Sequence, residues 1–209
     1  TGGAFLISDD MSKLNPERLK IAASLLPVLP PNPEVSDLFS NTMPSKLRQS
    51  LQGAAGEWEL IALFNWADEP RDLTFTLEDL NLAASTYLMR EYWSGESAIV
   101  EKSYQFKQVS THGVRLFTLR RLNSLTYLGS DLHLSQGIEL NSWKVVENKL
   151  HFTLDLSGRH TNGTIYLWSD RTPLSIVENG KEISWTSTLQ NVLAIPVNLF
   201  PSSDLSVVF

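Results

Sequence analysis

The first thirty residues constrain this chain most, because they cannot fold on their own. Gly2 to Asp10 is an apolar, strand-like run closed by two carboxylates, Asp9 and Asp10. Asn15-Pro16-Glu17 then opens a helix that stops near Pro27. One strand followed by one helix is a single βα unit, and such a unit cannot bury both faces of its strand without neighbours. Everything after it reads as β. The order fits the last unit of a (β/α)8 barrel followed by the β-domains that trail it.

In the opening helix, Asn15 suits the N-cap and Pro16 the first helical position, where a missing N–H costs nothing. Leu19, Ala22 and Leu26 recur at helical spacing, and Ile21 and Leu25 widen the stripe. That face needs a partner, either the strand before it or further barrel strands. Between residues 27 and 56, Pro27, Pro30, Pro31, Pro33 and Pro44 break regular structure. Val35 to Phe39 and Lys46 to Leu51 each suit a short helix. A connector of this length inside one compact domain is rare, so it marks a domain boundary.

Strands begin at Trp58. Trp58, Leu60, Ala62, Phe64 and Trp66 share one face and Ile61 and Leu63 the other, the pattern of an interior strand. Further strands are expected at 72–77, 86–93, 98–106 and 114–122, with turns at Glu69-Pro70, Ser94-Gly95 and His112-Gly113. A second β-block runs from Tyr127 to Phe209. Within it Leu150, Phe152, Leu154 and Leu156 alternate with polar residues, and Asn179-Gly180 is the strongest hairpin signal in the chain. The expected fold is mainly β: two antiparallel β-sandwich domains preceded by a strand–helix remnant of a (β/α)8 barrel. The expected domains are 1–56 (last barrel strand, helix and connector), 57–123 (first sandwich) and 124–209 (second β-sandwich module).

Composition removes several function classes. The net charge is −6 with both signs interspersed, and no basic stripe points to nucleic acid. No apolar run reaches the length needed to span a bilayer, so no membrane partner is expected. There is no cysteine, hence neither a disulfide framework nor a thiolate metal site. His112, His133, His151 and His160 are scattered without ligand spacing, and Asp131, His133 and Gln136 read as a structural hydrogen-bond network, so no metal is expected. No G-x-S-x-G, G-x-G-x-x-G or phosphate-binding loop occurs, and no cofactor is expected. Asn162-Gly163-Thr164 matches a glycosylation sequon and reads as a turn. The compartment stays open between cytoplasmic and secreted.

The sharpest site candidates are Asp9 and Asp10, which would lie at the C-terminal end of a barrel strand, where barrels place their active sites. A retaining carboxylate pair stands about 5–5.5 Å apart across one sugar. Adjacent strand residues point to opposite faces, so these two are not that pair. Asp10 either binds backbone at the strand-to-helix turn or faces substrate. Among the six tryptophans, Trp58 and Trp66 suit core or domain-interface packing, whereas Trp93, Trp143, Trp168 and Trp185 are ambiguous. Trp185, after the Asn179-Gly180 hairpin, is the candidate for an exposed sugar-stacking ring.

Phe5-Leu6-Ile7-Ser8-Asp9-Asp10-Met11-Ser12-Lys13-Leu14-Asn15-Pro16-Glu17 resembles the last barrel strand and helix of α-galactosidase (melibiase)-like glycoside hydrolases, families 27 and 36, with Asp10 on a family aspartate and Gly2-Gly3 on preceding glycines. Ala62-Leu63-Phe64-Asn65-Trp66, Tyr92-Trp93-Ser94-Gly95 and the Val109 to Leu119 stretch are similar to elements of their C-terminal β-sandwich. The resemblance covers residues 1 to 122. Tyr127 to Gly137 looks like an extra terminal β-module of some relatives. The resemblance implies a parent enzyme that hydrolyses terminal α-linked sugars with retention, using two aspartates on earlier barrel strands. No motif here matches either, so no catalytic residue is assigned and the chain alone is expected to be inactive. Its implied partners are its own catalytic barrel and the parent's glycoside or oligosaccharide substrate, with Asp9, Asp10 and Trp185 as substrate-binding candidates. The alternative is a carbohydrate-binding β-sandwich with a surface Trp platform.

Overall fold

Pairing of antiparallel strands, each with one apolar face, builds nearly all of the chain. The computed structural model describes residues 10–29, 33–39, 42–188 and 191–209. The strand expected before Asp10, with Gly2-Gly3 and Asp9, lies outside the described residues. The chain divides into two units. One comprises residues 33–52 and 56–128. The other comprises 129–209 with the N-terminal segment to residue 32 and the tip 53–55.

In the first unit the strands are β1 (Glu34–Val35), β2 (Lys46–Gly53), β3 (Gly56–Phe64), β4 (Arg71–Thr76), β5 (Tyr87–Glu91), β6 (Ser97–Val100), β7 (Ser103–Val109) and β8 (Val114–Arg121). Six of them form one sheet in the order β1-β2-β3-β8-β5-β6, and β4 and β7 form a two-stranded ribbon. β3 and β8 pair from Glu59↔Leu119 to Phe64↔Val114. Ile61 and Leu63 of β3, Met89 of β5 and Phe117 and Leu119 of β8 share a buried cluster with Phe75 of β4 and Phe106 and Val109 of β7. The ribbon thus covers the six-stranded sheet and closes a sandwich. Phe75 and Phe117 stack with centroids 4.8 Å apart, and Phe106 lies 5.2 Å from Phe117. On the other face of β3, Trp58 is buried beneath the Arg120 guanidinium, 4.4 Å from its ring centre.

Three local expectations are corrected here. Lys46 to Leu51 lies in strand β2 rather than in a helix, because its place between β1 and β3 fills backbone hydrogen bonds that outweigh helix propensity. Val35 to Phe39 is the end of β1 and a turn. The buried Asp37 carboxylate ties this turn to β2, accepting from Ser45 N at 2.9 Å, Ser45 Oγ at 2.6 Å and Lys46 N at 3.1 Å. The expected strand 98–106 is two strands: β6 pairs with β5, β7 pairs with β4, and the chain changes sheets at Glu101-Lys102.

The second unit begins with a 3-10 turn, Met11–Lys13, and α1 (Pro16–Ser24). Asn15 caps α1 as expected, its Oδ1 accepting from Arg18 N at 2.9 Å. The strands are β9 (Leu125–Ser130, crossing the division between units), β10 (Leu140–Val146), β11 (Lys149–Asp155), β12 (Thr161–Ser169), β13 (Ser175–Glu178), β14 (Lys181–Glu182), β15 (Thr186–Thr188), β16 (Val192–Leu199) and β17 (Ser202–Val208). They form sheets β10-β11-β17-β13-β14 and β15-β16-β12-β9. Leu150, Phe152 and Leu154 of β11, and Leu156 just beyond it, are buried as their alternation requires. Asn179 and Gly180 take positive φ angles, 49° and 79°, in the β13–β14 turn. The sequon Asn162-Gly163-Thr164 is not a turn but part of β12, paired with β16. Glycine is needed there, since a Cβ on Gly163 would meet Asp131 Oδ1 at 2.4 Å and Leu132 Cδ2 at 2.5 Å.

Phe117 is fully buried between sheet and ribbon. We expect Phe117→Ala to cost about 3–5 kcal/mol in urea unfolding followed by tryptophan fluorescence, a cavity effect. Lys107→Ala, exposed on the ribbon, should change stability by about 0.5 kcal/mol or less.

Candidate functional site

Three regions carry exposed or chemically distinctive side chains. In the sandwich unit, β3 runs out at Phe64 and hands the chain to a loop built around Asn65. Asn65 is buried. Its Nδ2 donates to Glu69 O at 2.9 Å, Val109 O at 3.0 Å and Ser110 O at 3.0 Å, and its Oδ1 accepts from Ala67 N at 3.0 Å. One amide therefore fixes both this loop and the β7–β8 turn. In that turn His112 has φ 52°, and a Cβ on Gly113 would sit 2.7 Å from Ser110 Oγ. Trp66 is 43% exposed. Its ring stacks on Phe64 with centroids 5.1 Å apart and planes 6° apart, and its Nε1–H donates to Pro44 O at 2.7 Å. Beside it, Asp68 pairs with His112 Nε2 at 3.1 Å and Glu69 pairs with Arg71 Nη2 at 2.8 Å. Trp66, Ala67, Asp68, Glu69 and Arg71 line an open concavity of about 560 Å³.

The second region is the N-terminal segment. Asp10 is exposed; its Oδ1 accepts from Ser12 Oγ at 2.6 Å and Ser12 N at 3.1 Å, and its Oδ2 lies 3.3 Å from Lys13 Nζ. The Ser12 hydroxyl, then the Ser12 N–H and Lys13, hold this carboxyl below the usual aspartate range. The apolar residues of α1 and its end stay largely in solvent, with Leu19 36% and, just past the helix, Leu26 47% exposed, and Ser24 is the buried residue of the helix. The helix end is held by polar contacts instead. Arg159 Nη1 donates to the Ala23 and Leu26 carbonyls and Nη2 to Leu132 O at 2.8 Å, while Leu134 N donates to Ser24 O at 3.0 Å. These bonds satisfy carbonyls that a helix C-terminus leaves open. His133 completes the clamp. Ser135 N donates to its Nδ1 at 3.0 Å, so the neutral ring carries its proton on Nε2, which donates to Pro27 O at 3.0 Å.

Trp185, in the third region, is half-buried between β14 and β15. Asp9 lies outside the described residues. Among the described residues no hydrogen bond or ion pair joins Asp10 to Trp185.

Residues 49–119 match the family model of the alpha-galactosidase C-terminal beta sandwich domain. This segment, about a third of the chain, is similar to a melibiase-type C-terminal β-sandwich. The match runs from within β2 to most of β8 and contains the Trp66 loop. Among solved structures, the chain is similar to a GH27 β-L-arabinopyranosidase variant from Geobacillus stearothermophilus in complex with arabinose (20% identity over 40% of this chain and 19% of that one, TM-score 0.33). It is also similar to alpha-galactosidase I from Mortierella vinacea (20% identity, 45% and 24% coverage, TM-score 0.34). Isomalto-dextranase from Arthrobacter globiformis T6, solved with panose, matches at 11% identity over 78% of this chain and 33% of that one, with TM-score 0.32. The chain thus covers a third or less of the length of each of these enzymes. No curated protein matches it significantly.

The sequence pointed to the melibiase-type sandwich through its Phe64-Asn65-Trp66 run but read Trp66 as packed. The ring is half-covered by Phe64 because the two residues share one face of the strand. Asp68, Arg71 and His112 carried no motif; the β7–β8 turn brings His112 to Asp68 from 44 residues away.

Burial, reinforced by Arg159 and opposed by Glu139 and the Pro27 and Leu25 carbonyls, holds His133 below its ordinary value of 6.5. The native state then binds fewer protons than the unfolded chain. Its contribution to stability is complete above pH 6.5 and is lost as pH falls from there through the lowered native value. The urea midpoint should fall between about pH 7.5 and about pH 5. In His133→Gln, which keeps a donor for Pro27, that fall should be smaller.

Proposed function

We propose that this chain is the non-catalytic C-terminal portion of an α-galactosidase-like retaining glycoside hydrolase that acts on terminal α-linked sugars, and that its β-domains pack on and stabilise the catalytic barrel. The match of residues 49–119 to the α-galactosidase C-terminal sandwich carries this reading. The exposed apolar residues of the N-terminal segment support it: Leu19 and Ile21 of α1, and Leu26 and Val28 beyond its end, are solvent-exposed, and such a surface suits burial against barrel elements. Retaining hydrolysis needs two carboxyl groups about 5–5.5 Å apart. Asp9 and Asp10 are chain neighbours and do not supply them. In this reading they act as supporting contacts near the barrel mouth, with Asp10 kept ionised by Ser12 and Lys13. Trp185 is assigned an auxiliary sugar contact.

The purified 209-residue chain should leave an aryl α-galactoside unhydrolysed at any pH where it stays folded. Turnover that survives repurification would sink the non-catalytic assignment.

The carbohydrate-binding alternative has one specific observation in its favour, the pinned and exposed ring of Trp66.

A further inference from the structure

We infer that the Trp66 loop of the sandwich is a sugar-binding surface that takes a neutral pyranoside on the open face of the indole. Only the choice of galactoside as probe rests on the reading above; the surface itself is argued from its own geometry.

The ring is built to receive something flat. Phe64 covers one side in a near-parallel stack, and the Nε1–H bond to Pro44 O removes the remaining rotational freedom. An immobilised ring loses little entropy when a ligand lands on it. The ring also lines an open concavity of about 560 Å³ with Ala67, Asp68, Glu69 and Arg71. The loop beneath is held from inside by Asn65, so the polar groups around the ring start from fixed backbone positions.

Those polar groups select the ligand class. Asp68 and Glu69 offer four carboxylate oxygens, which repel an anion such as a phosphate. Arg71 holds Glu69 in an ion pair and His112 Nε2 lies 3.1 Å from Asp68, so donors and acceptors stand together beside the ring. An apolar partner would strip water from these polar side chains without replacing their hydrogen bonds. A neutral polyol with an apolar face meets every condition. Its hydroxyls donate to the carboxylates and accept from the guanidinium, and its C–H face lies on the indole. A galactopyranoside has such a face, formed by the C–H bonds at C3, C4 and C5 on the side opposite the axial 4-hydroxyl.

The test is a titration of the full chain with methyl α-galactopyranoside, following the six indole N–H signals by NMR, with Trp66 assigned by the signal missing in Trp66→Phe. The Trp66 signal should shift saturably, with Kd on the order of 1 mM. Trp66→Ala should weaken binding at least about tenfold, the scale of one lost stacking contact. Trp93→Ala, removing an equally exposed ring outside this loop, should leave it unchanged. Asp68→Ala and Arg71→Ala, which remove exposed side chains and spare the fold, should each weaken it several-fold. A Trp66 signal indifferent to the sugar, or equal weakening by Trp93→Ala, overturns the inference. Sugar binding at Trp66 would stand even if the chain belonged to no hydrolase, and its absence would leave the non-catalytic C-terminal reading intact.

Discussion

Phe75, Phe106 and Phe117 meet between a six-stranded sheet and a two-stranded ribbon, and the first unit depends on that contact. The ribbon strands β4 and β7 pair with each other and not with the larger sheet, so no backbone ladder joins the two layers, and side-chain packing holds them together with the Asn65 amide bonded to Val109 O at one end. The same contact sets register. A one-residue slip of β8 against β3 would turn Phe117 and Leu119 out of the core and bring Leu116 and Thr118 in. With β3 fixed, Phe64 and Trp66 fall on one face and Asn65 on the other. That places the Asn65 amide inside, where it ties the loop to the β7–β8 turn, and the indole outside.

The N-terminal segment is held by different physics. Its helix buries little apolar surface within its unit, and its C-terminal carbonyls are satisfied by Arg159 and Leu134 while His133 holds the Pro27 carbonyl. Polar clamps of this kind fix position without much hydrophobic stabilisation, which leaves the stripe of Leu19, Ile21 and Leu26 available to another surface. A helix anchored at one end and apolar on an open face suits a chain segment that joins a barrel to its trailing domains.

Features encoded within a few residues were legible beforehand. Asn15 and Pro16 cap the helix, Asn179-Gly180 makes the hairpin and β11 alternates as its residues require, because each signal acts between near neighbours. The Phe64-Asn65-Trp66 run led to the melibiase-type sandwich for the same reason. What escaped depends on distant partners. Lys46 to Leu51 is helix-compatible until β1 and β3 flank it. The break at Glu101-Lys102 exists because two strands join different sheets. The sequon reads as a turn until β16 pairs with it. The clamp on the helix end joins residues more than 100 positions apart, and no local pattern encodes it. The site was legible only in part: Trp66 was visible as an aromatic, but its exposure and its polar neighbours follow from the loop and turn being brought together.

The central proposal is that this chain is the C-terminal part of a sugar hydrolase with its catalytic barrel encoded ahead of it. Reading the coding sequence immediately upstream of Thr1 tests that most directly. The account requires alternating strands and helices there, with aspartates at the ends of two strands. A stop codon, a signal peptide or an unrelated domain in that place would contradict it.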